Sequence, residues 1–229
     1  PFMSTLYVVA TPIGNLEDIT TRALRVLKEV DMILCEDTRH TKRLLAHYSI
    51  TTPTSSYHQH SGGAKVKKII DLLHEGKNLA LVSDAGTPGI NDPGVMLIKE
   101  IVEQAGDTIA IVPIPGPSAV VAALSVSGFP SHEFSYLGFL PHKKGRQTIF
   151  QMIAESESTT VFYESSHRIM KTMESLHAMM PERQLVVCRE LTKLHETVYR
   201  GSSAAIINSL KTTSTKGEFV IIIAPRSWA

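Results

Sequence analysis

Leu6-Tyr7-Val8-Val9-Ala10-Thr11-Pro12-Ile13-Gly14-Asn15 joins an uninterrupted apolar run to a loop of Thr, Pro, Gly and Asn. That is the pattern of a parallel strand buried on both faces and feeding a tight turn. Asp18-Ile19-Thr20 then offers polar caps for a helix from about 20 to 29, in which Ala23, Leu24 and Leu27 keep helical spacing. Met32-Ile33-Leu34-Cys35 closes this first strand–helix–strand unit. The alternation continues through a helix near 39–48, a strand near 53–57, a helix at 64–75, the strand Leu79-Ala80-Leu81-Val82, a helix near 94–105 and the strand Ile109-Ala110-Ile111-Val112. Strands and helices in strict alternation predict an α/β fold with a mostly parallel sheet covered on both faces.

Pro113-Ile114-Pro115-Gly116-Pro117 reads as a rigid junction before an Ala/Val-rich helix spanning roughly 118–127. Beyond Gly128-Phe129-Pro130 the pattern restarts, with a strand near 134–139, a helix at 146–155, the strand Thr159–Tyr163, a helix at 166–178 and a strand at 184–190. Thr197-Val198-Tyr199-Arg200, a short helix at 203–210 and Glu218-Phe219-Val220-Ile221-Ile222-Ile223 predict hairpin-like antiparallel strands appended to a mixed sheet. A chain of 229 residues has room for two cores of ordinary size. The expectation is two α/β domains, residues 1–116 and 117–229, the first mostly parallel and the second mixed, with the boundary inside 114–130.

Composition narrows the function classes. With 43% hydrophobic and 20% charged residues the chain is globular, and a formal net charge of +1 gives no overall basic footprint for nucleic acid. Any polyanion must therefore meet a local patch. Cys35 and Cys188 lack C-x-x-C spacing, which predicts buried thiols in a reducing compartment, the cytoplasm. No run of 18 or more apolar residues and no signal-like N-terminus occur, so no membrane association is expected, and Met3 reads as the native start. The 10 histidines show no metal-ligand spacing; His58 and His60 stand two apart with no cysteine pair near, so no metal is expected.

In open α/β sheets ligands sit beyond the carboxyl ends of strands. Three loops there are rich in Gly and Pro: Thr11–Leu16, Ser83–Gly94 and Pro113–Ala119. Glycine lets backbone approach a ligand closely, and Asp84 and Asp92 add acceptors suited to ribose hydroxyls or an amino group, as an adenosyl ligand would need. The same residue types also dominate ordinary turns. Neither G-x-G-x-x-G nor G-x-x-x-x-G-K-[ST] is present, which counts against dinucleotide and nucleoside-triphosphate binding.

Thr11-Pro12-Ile13-Gly14-Asn15-Leu16, Glu36-Asp37-Thr38-Arg39, Ser83–Gly94, Pro115-Gly116-Pro117-Ser118-Ala119, Gly138-Phe139-Leu140-Pro141, Phe162–Arg168 and Arg189–Lys193 occur in that order. Together they resemble the tetrapyrrole-methylase superfamily from about residue 5 to 224. Within it they are similar to the bacterial branch that methylates a ribose 2′-hydroxyl of a cytidine in 16S rRNA. The resemblance implies a homodimer acting on the small ribosomal subunit, with S-adenosylmethionine (SAM) in a cleft between two α/β domains. It implies that Ile13, Gly14, Asp84, Gly86, Thr87, Ile90, Ser118, Ala119 and Tyr163 face the cofactor. It also implies a small helical segment beyond the last strand, which a chain ending at Ala229 does not include. A methylase of a tetrapyrrole precursor is the alternative enzyme and a non-catalytic SAM- or RNA-binding module the third reading; the Thr-Pro-Ile-Gly-Asn-Leu and Asp-Ala-Gly-Thr-Pro loops match the RNA branch.

Methyl transfer from a sulfonium is an in-line displacement helped by positioning, and a ribose hydroxyl benefits from a base or a nearby cation. Candidates are the Glu36-Asp37-Thr38-Arg39-His40 run, Glu164 with His167 and Arg168, and Glu190, Lys193 and Glu196; Arg39, Glu164 and Arg168 are the catalytic choices. All of these residue types equally form ordinary ion pairs and caps. His142-Lys143-Lys144-Gly145-Arg146 is the densest basic run. It opens a helix, where the dipole disfavours cations, so Lys143, Lys144 and Arg146 are expected to contact RNA phosphates. Lys65, Lys67 and Lys68 read as a solvated helix face.

Overall fold

A computed structural model describes residues 4–58 and 62–228; Met3 and His60, named above, lie outside the described residues. The chain forms two compact units that divide between Ser118 and Ala119.

The first unit runs β1 (Thr5–Val9), α1 (Thr21–Glu29), β2 (Met32–Cys35), α2 (Thr38–His47), β3 (Thr54–Ser56), α3 (Gly63–His74), β4 (Leu79–Leu81), α4 (Gly94–Ala105) and β5 (Ala110–Ile114). Its five strands lie in the order β3-β2-β4-β1-β5, and every pairing is parallel. Successive side chains of a strand point to opposite faces. Leu6, Leu34, Leu79 and Leu81 pack with Val66, Ile69 and Leu73 of α3 and Leu97 and Ile101 of α4. Val9, Ile33, Cys35, Ala80 and Val82 pack instead with Ala23, Val26 and Leu27 of α1 and Leu44 and Leu45 of α2. Both faces of each strand are thus covered, which is why these strands read as continuous apolar runs. Thr20 caps α1, its hydroxyl accepting from Ala23 N at 3.1 Å, and the Asp37 carboxylate caps α2 by accepting from Arg39 N at 2.8 Å. At the opposite end of the sheet, Asp31 Oδ2 accepts from Asn78 N (2.8 Å) and Asn78 Oδ1 accepts from Thr5 N (2.9 Å), tying the starts of β2, β4 and β1.

The second unit runs α5 (Ala119–Ser125), β6 (Phe134–Phe139), α6 (Arg146–Glu155), β7 (Thr159–Ser165), α7 (Ile169–Met179), β8 (Gln184–Arg189), β9 (Thr197–Ser202), α8 (Ser203–Thr212) and β10 (Glu218–Ile223). Its strand order is β6-β7-β10-β8-β9, with β6 and β7 parallel and the other neighbours antiparallel. The sheet is mixed and β8–β9 is a hairpin, as the sequence indicates, but β10 is not appended. It occupies the centre, because its apolar run serves two cores: Phe219, Ile221 and Ile223 join the cluster beneath α6, α7 and α8, while Val220 and Ile222 join the one beneath α5. Helix α7 begins three residues later than the pattern suggests. Ser165–Arg168 forms a turn closed by Arg168 N donating to Ser165 O (3.0 Å).

Cys35 and Cys188 are buried and unpaired. Burial pushes both thiols up, Cys188 to about 11, so neither is a thiolate at neutral pH. Among the described residues no helix is long and apolar enough to cross a membrane.

Candidate active site

Strands β1 and β4 are neighbours, yet the helix after β1 packs on one face of the sheet and the helix after β4 on the other. That divergence opens a crevice at the carboxyl edge, the place where open α/β sheets bind ligands. The loops on its two sides are stitched together. Thr11 and Gly86 form an isolated antiparallel bridge, with Thr11 N donating to Gly86 O (2.9 Å) and Gly86 N to Thr11 O (3.0 Å). The buried Thr11 hydroxyl donates to Ser83 O (3.2 Å), and Ser83 Oγ lies 3.2 Å from the carbonyls of Ala85 and Gly86. The loop after β5 is drawn in by Thr87 Oγ1 donating to Pro117 O (3.1 Å). Gly86 is the node of all three loops: its φ is +79°, and a Cβ there would lie 3.4 Å from Ile13 Cγ2 and 3.6 Å from Pro117 O.

The two carboxylates of the long loop have different occupations. Asp92 is turned into its own loop: both oxygens accept from Gly89 N (3.0 and 2.9 Å), and Oδ1 also accepts from Gly94 N (2.8 Å). Gly94 is required there, since a Cβ would meet Asp92 Oδ1 at 2.8 Å and Gly89 N at 3.2 Å. As an acceptor for a ligand, Asp92 is therefore spent. Asp84 is half-buried and takes one bond, from Asp37 N to Oδ1 (3.2 Å), which leaves Oδ2 open among the described residues. A small pocket runs beside it, between Thr11, Pro12 and Leu16, the start of α2 at His40, Thr41 and Leu44, and Ser83–Asp84. Ile13 is half-buried, Gly14 and Ile90 are exposed, and Ser118 is half-buried.

Glu36, at the end of β2, shares this edge. Its carboxyl is held above the usual range first by burial and then by the charges of Asp84 and Asp92. The edge is thus acidic, and its one candidate cation, Arg39, is engaged. The Arg39 guanidinium is 89% exposed and grips Asp37 through Nε (3.2 Å) and Nη2 (3.0 Å), holding that carboxyl at about 2.

The catalytic candidates of the second unit have a different setting. Glu164 is 1% exposed. Its Oε2 accepts from Arg146 Nη2 (3.1 Å) and Thr172 Oγ1 (2.6 Å), and its Oε1 from Arg168 Nε (2.7 Å) and Ser165 N (2.8 Å). A carboxylate so saturated has no lone pair left for a substrate proton. Arg146 donates onward to Pro141 O (3.1 Å) and stacks 4.9 Å over Phe150, and Arg168 donates to Leu140 O (2.8 Å). Arg146 therefore points inward rather than toward an external phosphate, while Lys143 and Lys144 are exposed. Lys193 is ion-paired to Glu190 and Glu218, and Glu196 accepts from Thr192 N. Ala119 opens α5, and Tyr163 on β7 packs against Tyr136 and Phe139. His58 Nδ1 lies 3.2 Å from Glu36 O, and no group of three metal-ligating side chains occurs among the described residues.

Sequence reasoning missed Thr11, Ser83 and the Pro117 carbonyl, the atoms that sew the loops together. Their signal is only a small hydroxyl residue at a strand end, which occurs in many turns.

Comparison with known proteins fits this architecture. The family model for tetrapyrrole (corrin/porphyrin) methylases matches residues 5–207. Ribosomal RNA small subunit methyltransferase I of Halalkalibacterium halodurans is 46% identical over 220 residues, covering 96% of this chain and 75% of that protein. The protein of the same name from Synechocystis sp. is 46% identical over 225 residues, covering 97% and 79%. A solved cobalt precorrin-4 methyltransferase superposes with a TM-score of 0.67 at 18% identity, covering 96% of this chain and 94% of that one, and so shares the fold. By model and by relatives alike, the chain belongs to the tetrapyrrole (corrin/porphyrin) methylase family.

Proposed function

We propose that this protein transfers a methyl group from SAM to the ribose 2′-hydroxyl of a cytidine in 16S rRNA, in the cytoplasm. The observation that carries the reading is 46% identity, across 96% of the chain, to a ribosomal RNA small subunit methyltransferase I. The tetrapyrrole alternative rests on a likeness of 18% identity, which speaks for the fold alone.

The carboxyl edge of the first unit suits the cofactor by its donor set. A sulfonium is cationic, and an edge carrying Glu36, Asp84 and the open Asp84 Oδ2 favours a cation and disfavours a bare phosphate. Ile13, Gly14, Asp84, Gly86, Thr87, Ile90 and Ser118 are the proposed cofactor residues of this edge; Ala119 and Tyr163 are proposed on the family resemblance. Asp84 accepts a hydrogen bond, Gly86 lets backbone approach, and Thr87 locks the loop. When bound, SAM supplies a methyl on sulfur. The chain's own residues position the acceptor oxygen, exclude water and offset charge on that oxygen. Arg39 is the proposed cation for the last task, being exposed at the acidic edge. Glu164 and Arg168 contribute by holding loop 138–145 in place rather than by moving a proton.

The test is incubation of labelled SAM with small ribosomal subunits that lack the modification, followed by mapping of the label. Label on a cytidine ribose of 16S rRNA is expected; label on a tetrapyrrole precursor instead would overturn the reading. Asp84→Ala should weaken SAM binding about tenfold or more, the loss of one charge-assisted hydrogen bond. Unchanged affinity by calorimetry would move the cofactor elsewhere.

A further inference from the structure

The loop that follows β6 joins an exposed aromatic ring to exposed cations. Phe139 ends β6 with 52% of its surface open, and its ring centroid lies 5.4 Å from that of Tyr163, which is itself 5.3 Å from Tyr136. The ring is thus backed by an aromatic stack while half of it meets water. Four residues on, Lys143 and Lys144 are exposed and, among the described residues, paired with no carboxylate. Between ring and lysines the backbone is pinned from below, with Arg168 holding the Leu140 carbonyl and Arg146 the Pro141 carbonyl. Both guanidiniums are anchored on buried Glu164. A buried ion pair is a poor source of net stability, because desolvation consumes its attraction. Its return here is a fixed loop that carries Phe139 at one end and two ammonium groups at the other.

Resting on the reading of this chain as an RNA methylase, we propose that Phe139, Lys143 and Lys144 form a subsite for single-stranded RNA. Phe139 stacks one unpaired base, and the lysines hold the adjacent phosphates. Stacking surfaces flanked by cations are how proteins grip unpaired RNA, since every base has a π-face and every linkage a charge. A bare anion would leave the ring unexplained, and an apolar protein partner would leave two unpaired lysines facing it.

Fluorescence anisotropy of a short, labelled, unpaired RNA against the full chain tests this, with thermal unfolding as the check on folding. Phe139→Ala should weaken binding by about 5- to 100-fold and Phe139→Trp should retain it, the size and tolerance expected of one stacked base. Lys143→Gln combined with Lys144→Gln should also weaken it. Wild-type affinity in Phe139→Ala, or equal loss in Phe139→Trp, overturns the subsite. So does a Phe139→Ala protein that binds RNA normally but changes its self-association on sedimentation, which would make the ring a contact between copies. Failure of the function itself reads differently: wild-type protein would then leave 16S rRNA unlabelled, whatever Phe139 does to RNA affinity.

Discussion

Asp84 and Asp92 stand eight residues apart in one loop and divide the labour of the site. Asp92 satisfies the backbone donors of Gly89 and Gly94, so Asp92→Ala strands buried or half-buried N–H groups and should lower stability by about 1–3 kcal/mol. Thermal unfolding with the melting of SAM affinity alongside checks it; a loss of affinity without a loss of stability would show that Asp92 touches ligand after all. Glu36 gives the opposite sign. Its folded pKa is raised by burial and by its acidic neighbours, so the folded state holds the proton more tightly than the unfolded chain. Stability is then lost as pH rises from the unfolded value of about 4.3 through the raised folded value. Glu36→Gln should therefore raise Tm at pH 7 and leave it nearly unchanged at pH 4, a difference read from two melts. At this scale the sequence was only half legible. Both aspartates, and Glu164 as well, appear as carboxylates after strands, and nothing in their neighbours tells an open acceptor from one saturated by backbone or buried between Arg146 and Arg168.

The elements were more legible, because their signals are local. The helix at 94–105 and the strand at 134–139 follow from period and punctuation alone. The place of β10 did not, since strand order is decided by which faces find a cover. Its consequence is testable. Ile221 and Ile222 are both 0% exposed and look into different cores. Each change to Ala should cost about 2–5 kcal/mol by chemical denaturation, whereas an edge strand with one wet face would spare one of the two. At the far end of the first sheet, Asp31 has its pKa lowered, chiefly by the Asn78 backbone N–H it accepts. A depressed carboxylate stabilises above its unfolded pKa, about 3.9, and that contribution disappears as pH falls through the folded value. Asp31→Asn should flatten the acid limb of the Tm profile below pH 4 while leaving SAM affinity intact, since Asp31 lies at the opposite end of the strands from Asp84. The effect is small, because the pair with Lys77 is largely exposed.

For the whole molecule the deciding quantity is charge. Twenty-three basic residues nearly cancel 22 acidic ones, so no long-range field draws RNA to this chain and attraction must come from a few local cations. For single-stranded nucleic acid, log affinity falls with log salt by about 0.7 per phosphate neutralised. With Arg146 turned inward, Lys143 and Lys144 are the free cations of the basic loop, and they account for a slope of about −1.4 by that rule. Anisotropy titrations across a salt series should return a shallow slope near this size, and Lys143→Gln should reduce it by about 0.7 with little change in the affinity that remains at high salt. Phe139→Ala should do the reverse, lowering affinity at every salt concentration and leaving the slope alone, because stacking releases no counterions. A steep slope in the wild type would mean that RNA lies across cations well beyond this loop. The two substitutions separate the electrostatic from the stacking part of recognition on one protein whose net charge is too small to mask either.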